Sequence, residues 1–182
     1  MKRRIILLVC VLMLCGCSGK NTAMDAALGL RSSIAQANCC KFSVKIIADY
    51  GNVTYEFSMD CESDREGNVQ FTVTQPETIA GITGRVTANG GKLTFDDQML
   101  YIPMLTDDQI TPISGPWILM RSLLSGCITS CTEGRITIDD SYEDDALKLD
   151  IFLDEAGTPD TVDVYWKNRR ILLMNVTSFV LT

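Results

Sequence analysis

Between Lys41 and Cys61 apolar and polar residues alternate, and this limits the fold more than any other feature of the chain. Phe42, Val44, Ile46 and Ala48 fall on one side of an extended strand, and Lys41, Ser43 and Lys45 on the other. A period of two belongs to a β-strand with one face buried and one wet. Asp49-Tyr50-Gly51-Asn52 supplies turn residues, after which Val53, Tyr55, Phe57, Met59 and Cys61 resume the alternation. The spacing predicts a long antiparallel hairpin with one apolar face. Such a face must be buried, so the rest of the chain has to supply further strands and something to cover them.

Both are present. After a polar turn at residues 62–67, Val69, Phe71 and Val73 make a strand closed by Pro76. Residues 77–83 read as an irregular apolar loop containing Ile79-Ala80-Gly81-Ile82. Short strands follow over 85–88, 92–95 and 99–104, broken by Asn89-Gly90-Gly91 and Asp96-Asp97-Gln98, as in an antiparallel meander. A second set of strands is expected over 135–138, 146–153, 161–166 and 170–181. In it Leu147, Leu149 and Ile151 alternate with Lys148, Asp150 and Phe152. Residues 139–145, including Asp139-Asp140 and Glu143-Asp144-Asp145, read as a solvated acidic turn between two strands. Two stretches carry helical spacing instead. Met24, Ala27, Leu28, Leu30, Ile34 and Ala37 mark an amphipathic helix ended at Asn38. Beyond a loop flanked by Pro103, Pro112 and Pro116, the residues Trp117, Leu119, Met120, Leu123 and Leu124 mark a strongly apolar helix ended by Ser125-Gly126. Pro116 suits its first turn.

The front of the chain is of a different kind. Lys2, Arg3 and Arg4 precede an apolar run over residues 5–14. That run falls short of the roughly 20 residues a spanning helix needs and reads as a secretory leader. Leu14-Cys15-Gly16-Cys17 resembles the lipobox of bacterial lipoproteins. The resemblance implies cleavage after residue 16, diacylglyceryl attachment to the Cys17 thiol, and a membrane anchor on the extracytoplasmic face of the cell membrane or outer membrane. Acyl chains contribute about 0.8 kcal/mol per buried CH₂, so two or three of them hold a soluble body firmly. The expected organisation is a leader over 1–16, a lipidated cysteine and leash over 17–21, and one domain over 22–182.

Composition narrows function. The full chain has 16 basic and 23 acidic residues; without the leader 13 basic residues remain, a net of −10. This disfavours nucleic acid and a polybasic grip on anionic lipid. There is no histidine, which removes the commonest general base and zinc ligand. Beyond Cys17 five cysteines remain, an odd number that allows at most two bridges. Cys40 and Cys61 fall on the same face near the open end of the hairpin. A four-residue turn over 49–52 would set them opposite one another, and a two-residue turn would leave them diagonal. A Cys40–Cys61 bridge is the first expectation, with two buried free thiols as the alternative. A Cys127–Cys131 bridge would close only a tiny loop.

The order of parts is a helix, a long hairpin, a meander, a Pro-flanked apolar helix and closing strands. It resembles the lipoprotein carrier and receptor (LolA/LolB-like) fold. Phe71-Thr72-Val73-Thr74-Gln75-Pro76 is similar to that family's strand ending in Pro. Gly91-Lys92-Leu93-Thr94-Phe95-Asp96 is similar to its next strand and aspartate turn, and Thr111-Pro112 recurs there before the apolar helix. Asn175-Val176-Thr177-Ser178-Phe179 resembles the last strand of small lipoproteins of sporulating Firmicutes. The resemblance covers residues 28–182. It implies an α+β fold: a strongly curved, open antiparallel sheet, with the helices on its concave face and acyl chains held between. On that reading Trp117, Leu119, Met120, Leu123 and Leu124 form a lid, and Phe42, Val44, Ile46, Tyr55, Phe57, Phe71 and Phe95 a floor, for a lipid or other apolar ligand. The plainer reading is that these side chains fill one another as core. A second expectation from the family is an envelope protein partner, as in sporulation and germination lipoproteins that support cell-wall amidases; the 79–82 and 103–116 loops would be the contacts. The acidic run could supply paired carboxylates or a calcium site, but it lacks the Gly-centred spacing of a calcium loop. The expectation is a binding protein without catalysis, cofactor or metal.

Overall fold

The computed structural model describes residues 22–106, 109–142 and 145–182. The leader, Cys17 and the leash lie outside these residues, as do Glu143 and Asp144. Helix α1 (Thr22–Gln36) leads into a meander of six strands: β1 (Cys39–Asp49), β2 (Thr54–Asp64), β3 (Val69–Gln75), β4 (Thr83–Thr87), β5 (Gly90–Phe95) and β6 (Gln98–Ile102). A two-stranded ribbon, β7 (Leu105–Thr106) and β8 (Gln109–Ile110), and a single 3-10 turn (Pro112–Ser114) precede helix α2 (Gly115–Ser125). A second meander follows: β9 (Cys127–Thr132), β10 (Arg135–Tyr142), β11 (Asp145–Leu153), β12 (Pro159–Trp166) and β13 (Arg169–Leu181).

The two meanders join into one antiparallel sheet of 11 strands, ordered β6-β5-β4-β3-β2-β1-β13-β12-β11-β10-β9. The seam is the pairing of first strand with last, with Ile46 opposite Met174 and Phe42 opposite Phe179. It is finished by Asn38 and Cys39 donating to the Thr182 carbonyl at 2.7 and 3.0 Å. The sheet does not close, so β6 and β9 are its two edges.

One face is apolar along its whole width, from Val86 and Phe71 through Met59, Val44 and Met174 to Val164, Leu149 and Ile138, all buried. Helix α2 lies on the middle of that face. It can approach closely because its first residue is Gly115: a Cβ there would stand 2.9 Å from the Met174 sulfur. Helix α1 covers the β9 edge, where the Met24 and Cys131 sulfurs are 3.8 Å apart. The opposite face is polar, and its buried carboxylate is satisfied: Asp150 accepts from Thr137 Oγ1 at 2.8 Å and pairs with Arg135 at 2.8 Å.

Three expectations change. The hairpin turn is Tyr50 to Val53, with Asp49 opposite Thr54, so the register runs two residues later than a turn over 49–52 would give. Cys40 therefore faces Ser63 and Cys61 faces Phe42. The two cysteines sit diagonally and are free thiols. Residues 127–132, to which the sequence pattern assigns no element, are strand, which puts Cys127 and Cys131 about 13 Å apart along the chain, too far to bridge. Asp139 and Asp140 belong to β10 rather than to a turn. Asp140 pairs with Leu147 on the covered face and accepts from Ser122 Oγ at 3.2 Å and Arg121 Nη2 at 3.3 Å. It serves as an anchor for α2.

Candidate apolar ligand site

The helix expected as a lid is seated without a gap. Trp117, Ile118, Leu119, Met120 and Leu123 are all buried, and the Arg121 guanidinium lies 5.3 Å from the Trp117 ring centre. Beneath it Ile46, Val44 and Phe42 are core as well. Leu124 is half-buried, and its Cδ1 lies 3.2 Å from where a Gly67 Cβ would be. These residues fill one another, so Phe42, Val44, Ile46, Trp117, Met120 and Leu124 do not line the apolar cavity. Phe95 shares a face with Leu93 but stands at the open end of β5, 53% exposed.

The cavity lies to one side of α2, under the segment that leads into it. It has a volume of about 590 Å³, within the range of small-molecule sites. Its floor is the apolar face of the first meander: Tyr55 and Phe57 of β2, Phe71 and Val73 of β3, and Leu93 of β5. Its walls are Ile79 and Ile82 on one side and the hairpin tip, Tyr50 to Val53, on the other. Its roof is Ile110, Thr111, Pro112 and Ile113. Of the residues singled out from sequence, Tyr55, Phe57 and Phe71 are brought together here.

Local chemistry holds each wall. The hairpin tip turns where Gly51 takes a positive φ of 87° and donates its N–H to Asp49 Oδ1 at 2.7 Å. This aims Tyr50 across the opening, where its hydroxyl donates to the Ile110 carbonyl at 2.6 Å. The Tyr50 and Tyr55 rings meet edge-on with centres 6.0 Å apart. Burial, with the Tyr55 hydroxyl nearby, pushes the Tyr50 phenol up to about 12, so it stays a neutral donor. The 77–83 loop folds back on its own strand: Gly81 donates to the Val73 carbonyl at 2.9 Å and Val73 to the Ile82 carbonyl at 2.8 Å. Its apolar side chains are thereby turned to the cavity. The roof is pinned by Thr111, whose N–H donates to Met104 O at 2.9 Å and whose hydroxyl donates to Pro103 O at 2.8 Å.

A larger depression of about 810 Å³ lies on the polar face of the first meander. Several of its polar groups are already engaged: Lys41 pairs with Glu62 at 3.5 Å and Asp60 accepts from the Ser43 hydroxyl at 2.7 Å. The charged side chains of Lys41, Asp60, Glu62, Arg85 and Lys92 are among its lining, unlike that of the smaller cavity.

Most of the lining was missed from sequence. Tyr50 read as turn, Val53 as the start of a strand, and Ile79, Ile82, Ile110 and Ile113 as loop. The signal was present as large apolar residues in segments that turn chemistry would keep polar.

No family model matches the chain, and no curated protein matches its sequence. Solved structures do resemble it. An uncharacterized conserved protein from Thermus thermophilus aligns with a TM-score of 0.46 and 10% identity, over 89% of this chain and 88% of its own. The lipoprotein LppX of Mycobacterium tuberculosis gives 0.42 and 10%, over 88% and 96%. A LolA superfamily protein from Nitrosomonas europaea gives 0.41 and 8%, over 88% and 93%. At these scores the likeness carries nothing about ligand, partner or location. The fold that the sequence resembles is nonetheless represented among the structures to which this chain is similar.

Proposed function

We propose that this protein is an extracytoplasmic lipoprotein, anchored through Cys17, that holds an apolar ligand in the cavity beneath the 110–113 segment and performs no chemistry on it. The carrying observation is the cavity itself: about 590 Å³ with an apolar floor and walls, roofed by a segment tied down through the Tyr50 hydroxyl. Among the described residues its lining includes no cysteine, carboxylate or amine. The anchor rests on the leader and on Leu14-Cys15-Gly16-Cys17.

The test uses the mature chain carrying Cys17→Ala and a neutral fluorophore, N-phenylnaphthylamine, that brightens in apolar surroundings. Saturable uptake is expected, and Val73→Trp or Leu93→Trp, which fill the floor, should abolish it. No saturable uptake, or uptake indifferent to both substitutions, refutes the reading. Mass spectrometry of the native protein tests the anchor: an intact leader or a bare Cys17 sulfur removes it.

A second reading has one specific observation behind it. Strand β6 is a sheet edge with Met99, Leu100 and Tyr101 exposed at 70%, 61% and 58%. An open, uncharged edge can take a further strand from an envelope partner. The 79–82 and 110–113 segments serve the cavity instead. Crosslinking in the native membrane from position 99 should capture one stoichiometric protein if this reading is right.

A further inference from the structure

The cavity's charge, as distinct from its volume, bears on which apolar molecules it takes. We infer, on the basis of the cavity reading above, that the site selects amphiphiles with an uncharged hydroxyl or ester headgroup and discriminates against carboxylates and phosphates on the same chain.

Among the described residues, none that lines the cavity is an Asp, Glu, Lys or Arg. A charged headgroup drawn inside would lose its hydration without a partner, which is unfavourable by kilocalories rather than tenths. The cation beside the hairpin tip is already committed. Arg169 donates to the Asp49 carbonyl at 3.2 Å and stands 3.7 Å from its carboxylate. Asp96 and Asp97 form the turn next to Phe95, and the leaderless chain carries a net of −10. An anion approaching this acidic chain therefore meets net repulsion and finds, among the described lining residues, no counter-charge.

The polar groups present favour a neutral headgroup. Asn52 lines the cavity at the exposed hairpin tip, and its amide makes no side-chain hydrogen bond among the described residues. An amide both donates and accepts, so it matches a hydroxyl or an ester carbonyl. The Tyr50 oxygen, whose proton is given to Ile110, keeps lone pairs to accept a second hydrogen bond.

The experiment is competition against bound N-phenylnaphthylamine, using the mature Cys17→Ala chain below the micelle concentration of each competitor and at mildly alkaline pH. Monopalmitoylglycerol should displace the fluorophore at a concentration about tenfold or more below that needed for palmitate of equal chain length. Asn52→Leu should weaken monopalmitoylglycerol several-fold relative to palmitate, each measured against the fluorophore's own affinity for that variant. Palmitate displacing as well as the glyceride overturns the inference while the cavity reading stands. A glyceride preference over palmitate that is the same in Asn52→Leu as in the parent overturns the role of Asn52. A fluorophore that never enters refutes the cavity reading first, and this inference falls with it.

Discussion

Arg31 offers the sharpest test of how the two helices are held. It lies on the buried stripe of α1, between Ala27 and Ile34, where an apolar residue is ordinary. Its guanidinium crosses instead to the end of α2, where Nε donates to the Leu123 carbonyl at 2.6 Å and Nη2 to the Gly126 carbonyl at 2.7 Å. The last turn of α2 has no basic residue of its own, so Arg31 supplies both the donors and the positive charge that a helix C-terminus favours. Hydrogen bonds from a charged group contribute about 1.5–3 kcal/mol each, and ordering the long side chain takes back a part. Arg31→Met keeps the aliphatic stem and removes the donors, so a loss of about 2–3 kcal/mol is expected. For a domain of this size that lowers Tm by about 5–10 °C. Thermal melts by circular dichroism with urea titrations read it directly. Arg31→Lys, with one point charge in place of a fork, should recover about half. A loss below about 0.5 kcal/mol for Arg31→Met, the range of an ordinary surface change, would refute the reasoning.

Other perturbations follow from the same geometry. Gly84→Ala would set a Cβ 2.6 Å from the Phe71 ring and 2.7 Å from the Lys92 carbonyl. About 1–3 kcal/mol of destabilisation is expected, together with weakened fluorophore uptake as Phe71 is pushed into the cavity. Burial pushes the Cys40 thiol up to about 12, and it pushes Cys61 up as well, whereas Cys127 is exposed. Iodoacetamide at neutral pH should therefore label Cys127 and spare Cys40 and Cys61 in the folded chain, as read by peptide mass spectrometry; equal labelling would contradict the burial. The folded-state values of Cys40 and Tyr50 lie above those of the unfolded chain, so the unfolded state loses its protons first as pH rises. Stability should hold below about pH 9 and decline progressively toward about pH 12, and a flat Tm across that span would count against both assignments. Leu100→Lys should reduce concentration-dependent self-association by light scattering without lowering Tm, since it places a charge on the open β6 edge.

The amino-acid sequence by itself determined most of the long strands and which face of each is buried, though not β9 or the end of β10. From Val53 to Cys61 and from Leu147 to Ile151 the alternation is strict, and a pleated strand has no other way to sort its side chains. It also determined the two helices and the acidic balance of the chain, since period and charge are local properties. Local pattern could not place the hairpin turn one pair further on, which moved Cys40 opposite Ser63 and left the thiols unbridged. Nor could it show that Asp140 faces inward to meet α2. The position of the cavity was least legible of all. Trp117 and Met120 look like a lid and are core, because α2 drops onto the sheet where Gly115 lets it. The open space falls instead where β2, β3 and β5 meet loops distant in sequence, through contacts such as Tyr50 to Ile110. Burial of one face is a local consequence of alternation, whereas a gap between elements depends on how closely distant segments approach, and only the packed chain fixes that distance.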